Sequence, residues 1–128
     1  MPSGYLPDTN ILTAYIKRER AIVLRLHEVN YSLSSIVLGE LYRWAFETGK
    51  TDLLNLIRVF VEVTPLVGVD ELTSERYGKM TADMVATGKL VSNNDLWIAA
   101  QASRYDLIIA TRDSDFSSFS DGRRRNGD

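Results

Sequence analysis

Apolar positions along this chain follow two rhythms. Short runs with the character of strands are separated by longer stretches in which apolar residues return every three or four positions. Tyr5 and Leu6 begin the first short strand, although Pro7 weakens it because proline gives no N–H to a ladder. Asp8 or Thr9 can cap the helix that follows, with Ile11, Leu12, Tyr15 and Ile16 at helical spacing. A second short helix covers Ala21 to Glu28, and Tyr31 to Leu33 reads as a brief strand. Ser34 or Ser35 caps a helix to about Thr48, closed by Gly49. Thr51-Asp52 opens another through Phe60, and Val61-Glu62-Val63-Thr64-Pro65-Leu66 alternates like a strand. Asp70 to Thr87 is a long helix with Tyr77, Met80 and Met84 on one face and Gly88 as its C-cap. Ser92 or Asn93 caps a last helix through about Tyr105, before the unbroken apolar run Leu107 to Ala110, the mark of a strand covered on both faces. Strands alternating with helices predict an α/β fold with a mainly parallel sheet.

The length of 128 residues suits one domain spanning 1–128, with no internal repeat or linker. Residues from about 120 to 128, which include Arg123-Arg124-Arg125, read as a disordered or loosely attached tail. Hydrophobic residues make up 45% and charged residues 25%, which suits a packed core rather than disorder. Cysteine is absent, so disulfides and thiolate metal sites are excluded and a reducing cytoplasm is the expected setting. His27 is the only histidine, which excludes a multi-imidazole zinc site and a conventional histidine relay. A metal held by this chain must therefore sit on oxygen, which favours Mg²⁺ or Mn²⁺. The net charge of −2 means that binding to a polyanion has to be local or carried by metals. Neither a leader peptide nor a membrane-spanning apolar run is legible.

Four carboxylates stand out. Asp8 and Asp113 each follow a strand, and in open α/β sheets ligand sites lie beyond the carboxyl ends of strands. Asp8 also reads simply as an N-cap, and Asp113 as a turn aspartate in Arg112-Asp113-Ser114-Asp115. Asp115 is a further candidate ligand. Thr111 could orient a ligand or satisfy strand-end backbone. Asp95 opens a helical stripe shared with Ile98, Ala99 and Ala102, so it points towards the core edge, in a first turn where the helix dipole favours an anion. Glu40, by pattern alone, is a surface glutamate pairing with Arg43 at i,i+3. Trp44 and Trp97 read as core or interface residues and His27 as a surface residue. If carboxylates from such distant segments do converge, each pair repels by about 3 kcal/mol at about 5 Å and an effective dielectric of about 20, so a cation has to sit among them.

Four segments carry a family resemblance: Leu6-Pro7-Asp8-Thr9-Asn10-Ile11-Leu12, Leu33-Ser34-Ser35-Ile36-Val37-Leu38-Gly39-Glu40-Leu41, Asn94-Asp95-Leu96-Trp97-Ile98-Ala99-Ala100 and Thr111-Arg112-Asp113-Ser114-Asp115-Phe116. In this order and spacing the chain resembles PIN-domain ribonucleases, most closely VapC-type toxins of toxin–antitoxin pairs. The resemblance implies a three-layer α/β/α sandwich with a small, mainly parallel sheet. It implies that Asp8, Glu40, Asp95 and Asp113 line one acidic pocket holding one or two Mg²⁺ or Mn²⁺ ions, supported by Asn10, Thr111 and Asp115. The implied activity is hydrolysis of RNA phosphodiester bonds by a water that the metal makes acidic. The implied partners are a cognate antitoxin protein and a second copy in a homodimer, with the apolar residues of the Trp44 and Phe60 helices serving either that partner or the core. Pro7 and Arg43-Trp44 depart from the family pattern, and the chain after Phe119 shows none of the final apolar strand that many relatives have.

Two other readings compete. One is a catalytically silent PIN-like domain that binds RNA or an antitoxin. The other is a receiver-like phosphate-signalling domain, which would want a lysine near the end of its last strand, where Thr111-Arg112-Asp113 has none.

Overall fold

The computed structural model describes residues 4–89 and 91–112. Asp113, Asp115 and the expected tail lie outside the described residues. Strand β1 (Tyr5–Pro7) leads through helices α1 (Thr9–Ile16) and α2 (Arg20–Glu28) to β2 (Leu33–Ser34). Helices α3 (Ser35–Thr48) and α4 (Thr51–Val63) lead to β3 (Leu66–Val67), and α5 (Glu71–Thr87) and α6 (Asn93–Tyr105) lead to β4 (Ile108–Ala110). Two helices thus separate each strand from the next, and both strand pairs, β1 with β4 and β2 with β3, are parallel. A bridge between Tyr5 and Tyr31 sets the two pairs side by side. This is the expected α/β fold with very short strands. Among the described residues no helix is long and apolar enough to cross a membrane.

Pro7 weakens β1 less than the sequence suggests. The Tyr5 N–H donates to Asn30 O, while the Asp8 N–H donates to Ala110 O at 3.0 Å. Alternate residues of a strand bond to opposite sides, so β4 is served by Gly4, Leu6 and Asp8, and the N–H that proline lacks takes nothing from that ladder. Gly4 is required where it stands. It has φ of +89°, and a Cβ there would come within 2.1 Å of Asn30 O.

The expected strand over 61–66 is a correction. Helix α4 continues to Val63, and only Leu66–Val67 is extended. Leu53, Ile57, Phe60 and Thr64 are all buried at helical spacing, and this stripe outweighs the alternation of Val61-Glu62-Val63. Thr64 turns extended (φ −122°, ψ 131°), as residues before proline do, and that ends the helix.

The core gathers Leu6 from β1, Ile11 and Leu12 from α1, Ile22 and Leu26 from α2, Val37 and Leu41 from α3, and Ile57 from α4. Trp44 packs against its edge, and Phe60 is buried within it. Among the polar side chains buried in this interior, Gln101 joins the most elements. Gln101 of α6 has no exposed surface; its Oε1 accepts from Ser34 Oγ, and its Nε2 lies 3.1 Å from Ser35 Oγ, Val67 O and Gly68 O. Gln101 therefore fastens α6 to the start of α3 and the end of β3. Ser34 meanwhile caps α3 through the N–H groups of Ile36 and Val37.

Asp70 fastens α6 a second time. It caps α5 by accepting from the Thr73 N–H at 2.9 Å and the Thr73 hydroxyl at 2.8 Å, and it accepts from Arg104 Nε at 3.0 Å. The Arg104 guanidinium, then the Thr73 donors, hold the Asp70 carboxyl well below the usual carboxylate range. Tyr77 stacks on Trp97 with centroids 3.7 Å apart, and Arg76 donates to Ser103 O at 2.9 Å, completing the α5–α6 hairpin.

Two outcomes follow for stability. Gln101→Leu strands two hydroxyls and two carbonyls in the interior and should lower the unfolding free energy by roughly 2–4 kcal/mol, read from denaturant midpoints. Asp70 has a depressed pKa in the folded state, so its contribution is present at neutral pH and fades as pH falls below the ordinary aspartate value of about 3.9. The Tm gap between wild type and Asp70→Asn should therefore be full at pH 7 and narrow steadily below pH 4.

Candidate active site

Parallel pairing decides where the site can form. The β1–β4 register sets Pro7 opposite Ala110, and the Asp8 N–H on Ala110 O carries the pairing one residue past the strand end. Asp8 and Thr111 thus leave the sheet together at the carboxyl ends of neighbouring strands, where an open α/β sheet offers its crevice. Asp8 has extended backbone (φ −81°, ψ 177°), and its Oδ1 accepts the Ile11 N–H at 3.0 Å. The capping reading of Asp8 is thus correct. The cap also fixes which way the carboxylate leaves β1.

Glu40 corrects the reading from pattern. It does not pair with Arg43, which instead meets Glu47 at 3.1 Å one turn on. Glu40 is half-buried in the middle of α3. Its Oε1 accepts from Thr9 Oγ1, and its Oε2 accepts from Asn94 Nδ2 at 3.2 Å. Three helices therefore meet at one carboxylate: α1 through its first residue, α3 through its middle and α6 through its first turn. Thr9 adjoins Asp8, so the same contact brings Glu40 towards the strand-end aspartate. Sequence reasoning missed Thr9 and Asn94 as partners of Glu40. Their only signal was polar character beside Asp8 and Asp95.

Asp95 differs from expectation. It is exposed rather than turned to the core edge, and its N–H donates to the capping Ser92 Oγ at 3.1 Å. The inward stripe of α6 begins at Leu96 and Ile98; the turn before them has no core beneath it. Asn10 is exposed in the first turn of α1, and Thr111 is half-buried beyond β4.

Among the described residues no three His, Asp or Glu side chains gather closely enough to hold a metal ion. Asp8, Glu40 and Asp95 form no closed group of three among the described residues, and the fourth expected ligand, Asp113, lies outside them. Within the protein itself Glu40 is met by neutral donors, Thr9 and Asn94. The donor chemistry nevertheless fits a hard divalent cation. Asp8 and Glu40 offer carboxylate oxygen, and the Thr9 hydroxyl and Asn94 amide hold Glu40 as outer partners hold a ligating carboxylate.

One ion pair borders the site. Arg112, two residues beyond β4, donates from Nη1 to Glu19 Oε1 at 3.0 Å and from Nη2 to Glu19 Oε2. The Arg112 fork holds the Glu19 carboxyl below its usual range, and Glu19 holds Arg112 more firmly protonated, with a smaller push from the charge of Asp8.

Comparisons with known proteins bear on the family and the fold. The PIN domain family pattern matches residues 5–122. Ribonuclease VapC1 of Haemophilus influenzae (strain R2866) is 30% identical over 115 residues, covering 84% of each chain. Ribonuclease VapC4 of Mycobacterium tuberculosis is 28% identical over 120 residues, covering 91% of each. Among solved structures, VapBC-1 from nontypeable Haemophilus influenzae superposes with a TM-score of 0.74 at 26% identity, covering 88% of this chain and 89% of that one. DNA-bound VapBC from Salmonella typhimurium superposes with a TM-score of 0.79 over 98% of this chain and 97% of that one; at 23% identity it speaks for the fold alone. With the strand-end aspartate, the tethered α3 glutamate and the family pattern in agreement over nearly the whole chain, the protein belongs to the PIN domain family, alongside the VapC-type ribonucleases.

Proposed function

We propose that this protein is a Mg²⁺- or Mn²⁺-dependent endoribonuclease and the toxin of a toxin–antitoxin pair. The observation that carries this reading is the three-helix meeting at Glu40 beside the strand-end Asp8. The names of the similar proteins support the activity: ribonucleases by sequence, and toxin–antitoxin complexes by structure.

Asp8 and Glu40 would hold the ion, with Asp95 and Asp113 completing the set. When bound, the ion makes a water acidic enough to attack at neutral pH and offsets charge growing on the phosphate. The protein's own part is positional. Capping by Asp8 ties its carboxylate to α1, so the side chain need not be ordered when substrate arrives. Thr9 and Asn94 restrict Glu40 to one orientation, and Gln101 keeps α6 in register with α3 so that Asn94 stays in reach. The reaction is hydrolysis: the water oxygen bonds to phosphorus, the bridging P–O bond breaks, and the departing oxygen gains a proton.

The partner reading has its own support. A groove of about 280 Å³ lies between α1, α2 and α4, lined by Tyr15, Ile16, Val23, Phe60 and Val63 among others. On its α4 wall Leu56, Val59 and Val63 are 44%, 60% and 75% exposed and lie together on the groove. An amphipathic segment of the antitoxin would cover it.

Two measurements test this reading. Cleavage of single-stranded RNA should require Mg²⁺ or Mn²⁺ and vanish in Asp8→Asn and Glu40→Gln. Thr9→Val should lose roughly 10- to 100-fold in activity or Mn²⁺ affinity, with Thr9→Ser restoring most of it. Metal-independent cleavage, or full activity in Asp8→Asn, would place the chemistry elsewhere; a folded wild type with no cleavage would favour a silent binding domain. Separately, Val59→Asp with Val63→Asp should weaken binding of the cognate antitoxin by tenfold or more in calorimetry while RNA cleavage persists.

A further inference from the structure

We infer that Arg112 is a contact for an RNA backbone phosphate beside the reacting bond, and that Glu19 occupies its guanidinium until RNA displaces it. This rests on the nuclease reading above and extends it to how an acidic protein holds its substrate.

Position comes first. Arg112 follows β4 by two residues, and Asp8 is hydrogen-bonded to Ala110, the last residue of that strand. A cation here stands at the carboxyl ends of β1 and β4, on the rim of the crevice a phosphodiester must enter.

The form of the pair comes second. Arg112 presents two donors side by side to the two oxygens of Glu19. The same fork fits the two non-bridging oxygens of a phosphodiester, which arginine binds in bidentate fashion. Glu19 is thus a carboxylate standing where a phosphate fits. It precedes α2 as its N-cap residue yet makes no side-chain cap hydrogen bond, so its carboxylate serves Arg112 rather than its own helix.

The pair is also accessible. The Arg112 and Glu19 side chains are 48% and 46% exposed, and ion pairs so placed contribute little net stability. The turn that supplies Glu19 reads Lys17-Arg18-Glu19-Arg20, with all four residues exposed. The exposed cations Lys17, Arg18 and Arg20 thus adjoin Glu19 in sequence and add positive charge on the turn that meets Arg112. Such local charge serves a chain whose net charge is −2.

A purely structural role would make Arg112 and Glu19 equal partners, so that losing either would have the same effect. The displacement reading requires opposite effects. Steady-state RNA cleavage by the full chain, followed from 50 to 300 mM salt, separates them. Arg112→Ala should raise KM about tenfold and make the dependence of log kcat/KM on log salt shallower by about 0.7. Glu19→Gln frees the fork and should lower KM about threefold; Arg112→Lys, which keeps charge but loses the fork, should fall between wild type and Arg112→Ala. KM moving the same way in Arg112→Ala and Glu19→Gln, or an unchanged salt slope in Arg112→Ala, overturns this inference while leaving the nuclease reading intact. Absence of cleavage by wild type overturns both.

Discussion

A half-buried carboxylate needs donors, and the donors that meet Glu40 come from two other helices. This constraint organises the candidate site. Thr9 begins α1 and Asn94 lies in the first turn of α6, so both helices must keep their places for Glu40 to be satisfied. Losing Thr9 would remove the donor on the more buried side of Glu40, at a cost of about 1–3 kcal/mol, whereas water can replace the exposed Asn94 amide. The same contacts that satisfy Glu40 in the protein alone would orient it towards a cation, so stability and proposed chemistry draw on one arrangement.

The rest of the fold keeps α6 where Asn94 can serve. Gln101, two turns along the same helix, grips the start of α3 and the backbone after β3 from inside the core. Asp70 grips Arg104 near the other end of α6 from the capped start of α5. One anchor is buried and insensitive to solvent; the other is partly exposed and depends on an ionised carboxylate. Between them the helix has little freedom to slide along its axis, and a slide of one residue would carry Asn94 away from Glu40 by a third of a turn.

Much of this was legible in the sequence, for identifiable reasons. Asp8 combined two local signals, a strand before it and a helix after it, and both act in the structure. The helices α3, α5 and α6 carried caps and apolar stripes that agreed, and they formed close to their expected bounds. The α4 boundary failed because β-branched residues in Val61-Glu62-Val63 satisfy a period of two as well as the end of a helical stripe, and only packing decides between them. Glu40 was invisible to periodicity because its partners lie 31 and 54 residues away, while Arg43 lay within a turn and seemed sufficient. Only the family resemblance assigned it to the site. Asp95 was placed by a stripe that in fact starts one residue later, and the side chain that reaches Glu40 is its neighbour Asn94. Gln101 left one trace, a polar residue between Ala100 and Ala102 on an otherwise buried face.

The central claim is that Asp8 and Glu40 together form the seat of a divalent cation. Anomalous diffraction at the manganese edge, from crystals of the full chain soaked in Mn²⁺, tests it directly. The account expects a peak within about 2.5 Å of an oxygen from each of Asp8 and Glu40. Manganese bound only at other carboxylates, such as Asp70 or Asp83, with Glu40 still held by Thr9 and Asn94 alone, would contradict it.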